Sequence, residues 1–145
     1  MIMLSINFPK PDFKIKGNQG EEQIFDGIRK RWLRLTPEEW VRQNFIQYLI
    51  KEKKYPASLI SVEKEIVLGE MKKRYDIVVY KDTQPWVIVE CKEMNVQLNE
   101  KVLNQLLRYN ATIVAPYLII TNGKQSFGWK IENGNFIEMD ELPEW

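Results

Sequence analysis

Histidine is absent from the 145 residues. That removes every mechanism needing an imidazole: Ser-His-Asp and Cys-His catalysis, His-ligated zinc and His-based nucleases. Cys91 is the single cysteine, so no internal disulfide can form, and a reducing compartment, the cytoplasm, is the expectation. No apolar run approaches the roughly 18 residues of a membrane span. The opening MIMLSINFPKPDFKIK has no basic stretch followed by a long apolar one, so no secretion signal is expected. An excess of one charge is missing as well. The 21 Lys and Arg nearly cancel the 20 Asp and Glu, whereas a free-standing nucleic-acid binder usually carries a stronger basic surplus.

What remains is an ordinary globular composition, 44% apolar and 28% charged, sized for one domain over 1–145 with a real core. Residues 1–20 hold Pro9, Pro11, Gly17 and Gly20 and read as an irregular arm. Gln23–Leu35 reads as one or two short strands broken near Gly27. Thr36-Pro37-Glu38-Glu39 has the pattern of a capping box, with Thr36 at N-cap and Glu39 at N3. Val41, Phe45, Tyr48 and Leu49 then mark one face of a helix that stops before Tyr55-Pro56. Ser58–Leu68, Arg74–Tyr80 and Pro85–Lys92 read as strands. Asn99 caps a second helix, with Val102, Leu106, Tyr109 and Ile113 on one face. Pro116–Thr121 is a buried-type strand, and Asn122-Gly123 and Asn133-Gly134 are hairpin signals. The tail DELPEW reads as surface. The expected fold is α/β: a mixed central sheet of four to five strands, the two helices on opposite faces, and added hairpins on the C-terminal side.

The chemistry concentrates in the hairpin RYDIVVY–KDTQ–PWVIVECK. Antiparallel pairing about Thr83 sets Tyr80 against Trp86, Val78 against Ile88 and Asp76 against Glu90. Alternation then puts Asp76, Glu90 and Lys92 on one face with Val78, Tyr80, Trp86 and Ile88. Opposed carboxylates lie about 5 Å apart at Cβ and raise a pKa unless a cation separates them. Two readings stand at this point. One is a salt bridge of Asp76 or Glu90 with Lys92 at a sheet end. The other is a site whose oxygen ligands suit Mg²⁺ or Mn²⁺.

At these residues the chain resembles the PD-(D/E)xK nuclease superfamily. Asp76 matches its first motif, with Tyr75 where the Pro would stand, and Glu90-Cys91-Lys92 matches E-x-K. LTPEEWVRQNFIQYLI, RYDIVVY and the later Gln105-Leu106-Leu107-Arg108-Tyr109 look like the N-terminal nuclease domain of type I restriction enzyme R subunits, which carries Q-x-x-x-Y after E-x-K. The resemblance implies a restriction-endonuclease-like fold and a Mg²⁺-dependent endonuclease acting on DNA, with Mn²⁺ substituting. It implies that Asp76 and Glu90 bind the metal, with the Cys91 carbonyl as a further ligand. Lys92 would orient or activate the attacking water or stabilise the developing charge. Gln105 and Tyr109 would contact the backbone or support the site. Glu39 is a further acid from the first helix, though the capping box accounts for it already. The Cys91 side chain, Trp32, Trp40, Trp86 and Trp129 read as core.

R subunits of this kind also contain an ATP-driven motor. Here Gly123-Lys124 lacks the glycine of a phosphate loop five positions earlier, where Leu118 stands. The chain is therefore expected to work as a stand-alone nuclease-like protein or beside a motor subunit, a DNA-recognition subunit or a second copy of itself. A non-catalytic module that binds nucleic acid or a partner is the alternative. A hydrolase of small molecules has nothing in the sequence to support it.

Overall fold

The structure is a computed structural model describing residues 1–145. Two sheets and two helices make an α/β architecture. A small antiparallel sheet holds β1 (Ile15–Lys16), β2 (Gln23–Asp26) and β3 (Arg31–Arg34). After α1 (Pro37–Lys51) comes a mixed sheet in sequential order: β4 (Ile60–Leu68), β5 (Met71–Lys81), β6 (Gln84–Cys91), β7 (Tyr117–Thr121), β8 (Ser126–Glu132) and β9 (Asn135–Met139). The second helix, α2 (Glu100–Tyr109), joins β6 to β7, the one parallel pair. A parallel pair needs such a crossover, whereas every other neighbour is joined by a turn. The main sheet thus has six strands, not four or five, because β4 and both C-terminal hairpins join it edge to edge.

The two faces of the sheet carry separate apolar clusters. Val41, Phe45 and Leu49 of α1 pack on Ile77, Val79, Val87, Val89 and Ile119. Leu103 of α2 packs on Val78, Ile88, Leu118, Ile120 and Trp129. Strands covered on both sides read as continuous apolar runs, as WVIV and YLII do.

Local chemistry explains the boundaries. The Thr36 hydroxyl accepts from the Glu39 N–H at 3.0 Å, and Asn99 Oδ1 accepts from the Val102 N–H at 2.9 Å, so both helices start at side-chain caps. Asp82 and Thr83 both take positive φ, 52° and 65°, between the paired Lys81 and Gln84. That is the geometry of a two-residue primed turn.

The register is Val78 against Ile88, as expected, but it shifts between Val79 and Tyr80. Tyr80 faces Pro85, not Trp86, and Trp86 packs on the α1 side against Tyr55 and Trp145. The extra residue flips Trp86 to the other face.

Both ends of the chain also pack more than their composition suggests. The arm contains β1, and Leu4 in it is buried, with its N–H on the Ser126 carbonyl at 2.7 Å. Gln47 holds the arm by donating to the Lys10 carbonyl at 3.0 Å and accepting from the Asp12 N–H at 3.0 Å. The tail buries Leu142 and lays Trp145 against Trp86. The Tyr55 hydroxyl donates to the Pro143 carbonyl.

Gly128 makes the seat for Leu4. A Cβ there would meet Ile119 Cδ1 at 2.9 Å and Leu4 Cδ1 at 3.2 Å. Gly128→Val is expected to unseat the arm and cost about 1–3 kcal/mol, measured by urea denaturation. Unchanged stability would mean that the arm does not depend on this seat.

Candidate active site

Asp76 lies where the alternation of β5 slips. Tyr75 and Val78 both belong to the α2-side cluster, while Ile77 belongs to the α1 side. The slip lets Asp76 turn towards α1. Its Oδ1 accepts from Arg42 Nη2 at 2.7 Å and its Oδ2 from the Cys91 N–H at 2.8 Å. This replaces the expected common face with Val78 and Ile88.

Arg42 is almost fully buried and binds several acids. It donates to Glu39 at 2.6 Å and to Glu38 at 3.0 Å, and it lies 3.6 Å from Glu63. Glu39 also receives Arg29 Nη2 at 3.0 Å and Gln43 Nε2 at 3.0 Å. Arg29 reaches Glu63 at 3.2 Å and pairs with the fully buried Asp26. Burial raises the Asp26 carboxyl, but the Arg29 side chain and the amides of Arg29 and Ile28 outweigh it and hold the pKa below the ordinary value. An unbroken ionic chain therefore runs from the small sheet through α1 to Asp76.

This arrangement corrects the reading of Glu39. Its N–H is capped by Thr36, but its carboxylate does not return to the Thr36 N–H, which donates to Arg34 instead. Two guanidiniums and Gln43 take the Glu39 oxygens, being stronger donors than a neutral amide. Glu38, the neighbouring acid, is the one coupled to the hairpin. Burial first, then the charge of Asp76, raises its pKa, while Arg42 and Lys92 pull it back.

Glu90 stands at the end of β6 with Oε1 buried and without a hydrogen-bond partner. Burial above all, then the charge of Asp76, pushes its pKa up to about 7, against the pull of Lys92 and the Asp76 backbone. Asp76, Glu90, Glu38 and Lys92 thus act on one another at one end of the sheet. Cys91 packs in the α1-side core, where burial raises its thiol well above the ordinary value and leaves no nucleophile.

Gln105 and Tyr109 stand apart from this group, on the exposed side of α2. Tyr109 is 61% exposed, not on the apolar face, and Lys73 lies 4.5 Å above its ring. The helix ends at Tyr109, so Ile113 lies beyond it, but Val102, Leu106 and Ile113 do pack on the sheet, around the buried Leu103. The link to the site is Tyr75. Burial, then Glu90 and Tyr109, push its hydroxyl up to about 12.

The donors suit a hard divalent cation in kind: two carboxylates and a backbone carbonyl, with an unpartnered oxygen on Glu90. In number they are sparse. No three acidic or cysteine side chains surround a common point, and Arg42 already holds Asp76 Oδ1. A cation held by Asp76, Glu90 and the Cys91 carbonyl would have to compete with Arg42 for that oxygen.

Arg42, Arg29, Asp26, Glu38 and Glu63 were not anticipated as site residues. A signal exists for Arg42 alone: it follows Glu38 and Glu39 by four and three residues on one helix, the spacing of facing charges.

Residues 37–143 match the family described as type I restriction enzyme R protein N terminus. The match starts at the first residue of α1 and leaves out the small sheet. No curated protein matches the chain. No helix is long and apolar enough to cross a membrane.

The Glu90 carboxyl gives a pH test. Its folded pKa, about 7, lies above the ordinary 4.5, so the folded state binds the proton more tightly. Its contribution to stability is greatest below pH 4.5 and is lost as pH rises through 7. In metal-free buffer Glu90→Gln is expected to be more stable than wild type at pH 8, by roughly 2–3 kcal/mol, and nearly equal at pH 4.5. Denaturation curves at both pH values check this; an equal gap at both would show that Glu90 is not held in this way.

Proposed function

The chain belongs to the type I restriction enzyme R protein N-terminus family, and on that premise we propose that it is a DNA endonuclease of PD-(D/E)xK type. The reading assigns it a restriction-endonuclease-like fold and hydrolysis of a phosphodiester with Mg²⁺, for which Mn²⁺ substitutes. The observation that carries it is the meeting of Asp76, Glu90 and Lys92 at one sheet end, with a buried Glu90 oxygen that no protein group satisfies. An orphaned buried carboxylate oxygen costs about 1–3 kcal/mol or more, a cost that a bound cation would relieve.

Asp76, Glu90 and the Cys91 carbonyl hold the metal in this scheme. When bound it supplies positive charge to the scissile phosphate and lowers the pKa of a water. The remaining work falls to the chain. The Lys92 ammonium orients the attacking water and stabilises charge developing on the phosphoryl oxygens, the role histidine cannot take here. The Cys91 N–H and Arg42 hold Asp76 as an oriented anion beforehand. Tyr109 and Gln105 support the site through Tyr75 or meet the DNA backbone outside it. A motor, a DNA-recognition subunit or a second copy would supply target choice, and the setting is cytoplasmic.

One observation favours a second reading, a catalytically silent module that binds DNA or a partner. Both Asp76 oxygens already have protein donors, so the ionic chain is complete without metal.

The two readings separate in one experiment: incubation of plasmid and single-stranded DNA with Mn²⁺, using wild type, Lys92→Ala and Glu90→Ala. The endonuclease reading expects cleavage by wild type, a loss of about 100-fold or more in Lys92→Ala, and loss of both cleavage and Mn²⁺ binding in Glu90→Ala. Cleavage by all three, or Mn²⁺ binding undiminished in Glu90→Ala, would refute the assignment. DNA binding without cleavage, indifferent to Mn²⁺ and intact in Lys92→Ala, would establish the silent module.

A further inference from the structure

The family match begins at Pro37, so the three-stranded sheet lies outside it. Yet that sheet forms one wall of a polar cleft beside the site, bordered by Arg42, the guanidinium that holds Asp76. The cleft is about 520 Å³ and is lined by Arg29, Arg31 and Arg34 on one side and by Glu38, Arg42 and Glu63 on the other. We propose that the β2–β3 hairpin is a phosphate-binding wall, in which Arg31 and Arg34 take backbone phosphates of the nucleic acid entering the site. The inference rests on the endonuclease reading and adds to it the surface that binds the substrate.

Three observations carry it. The first is the distribution of charge. Residues 1–36 hold seven Lys and Arg against four Asp and Glu, while residues 37–145 hold 14 against 16. The near-neutral total therefore hides a basic N-terminal segment joined to a slightly acidic family segment. A phosphodiester approaching the acidic site needs cations near it, and these are on the small sheet.

The second is how the arginines are used. Arg29 and Arg42, the inner pair, are spent on Asp26, Glu38, Glu39, Glu63 and Asp76. Arg31 and Arg34 are exposed and make no ion pair or side-chain hydrogen bond. A guanidinium with its full fork of donors free, at the mouth of a polar cleft, suits a phosphate.

The third is rigidity. Arg29, two residues before Arg31, is fixed by Asp26 within the hairpin and by Glu39 on α1. Asp26 Oδ1 also accepts from the N–H groups of Ile28 at 2.7 Å and Arg29 at 3.0 Å. The turn is thus tied to the same ionic chain that ends on Asp76. The wall and the metal-binding acid share one anchor, so phosphates held by Arg31 and Arg34 keep a fixed position relative to Asp76.

The test uses the full chain with Arg31→Ala/Arg34→Ala, and Lys101→Ala/Lys130→Ala as a control removing equal charge from α2 and β8. Affinity for a fluorescent duplex is measured by anisotropy over a salt series with Ca²⁺ present to block cleavage, and Mn²⁺ binding by calorimetry. The expected result is DNA affinity at least tenfold lower and a log–log salt slope shallower by roughly 2, from two lost phosphate contacts. Mn²⁺ binding and melting temperature stay at wild-type values. Arg31→Lys/Arg34→Lys recovers most of the slope, since the charge remains. An affinity and slope equal to wild type, or a loss no larger than in the control, would overturn the wall while leaving the endonuclease reading standing. Wild type that binds no DNA overturns both.

Discussion

Asp76 accepts from two donors that belong to different parts of the molecule. One is the guanidinium of Arg42 on α1; the other is the N–H of Cys91 on β6. The bond to Arg42 ties the helix to the sheet at the one end where charges collect. Elsewhere α1 and the sheet meet through apolar contact alone. Withdrawing Arg42 from water is costly unless its donors are met, and breaking such a buried pair typically costs about 3–5 kcal/mol. Glu39, Glu38 and Asp76 each accept one hydrogen bond from its Nη groups, and the Nε alone of its nitrogens stays unpartnered. The small sheet depends on the same chain, since Arg29 brings Asp26 to Glu39.

The charged cluster around Arg42 is rich in acid. Asp26, Glu38, Glu39, Glu63, Asp76 and Glu90 are opposed by Arg29, Arg42 and Lys92. The surplus collects at the end of the central hairpin, and Glu90 bears most of its cost because it is buried there. On the endonuclease reading proposed above, a divalent cation within the site and arginines around it would divide the work of meeting a phosphodiester. That division of labour fits a protein whose overall charge is +1, because the two charge signs are segregated in space and not absent.

Much of the framework was legible beforehand for physical reasons. Both helix starts follow from Thr36 and Asn99, whose side chains cap locally. The last two hairpins follow from Asn122-Gly123 and Asn133-Gly134, where Gly123 and both residues of the second pair take positive φ. The pairing of the central strands follows from the short turn between them, although its register shifts between Val79 and Tyr80. What escaped is what neighbours in space decide. The shift that turns Trp86 over is set by Tyr55 and Trp145 waiting on the α1 side. Tyr109 fits an apolar helical face by spacing, yet the helix stops there and leaves it in water beside Lys73.

By itself the sequence determined most of the elements and the pairing of the two central strands, because caps, turns and alternation act over a few residues. It also carried the family. Only the tertiary structure decided which way Asp76 turns, which helix acid approaches it, and that a sheet outside the family segment borders the cleft. Those outcomes depend on ion pairs between residues as far apart as Arg29, Glu63 and Asp76. Pairing at that range is selected by burial and geometry, which appear only once both sheets have packed against α1.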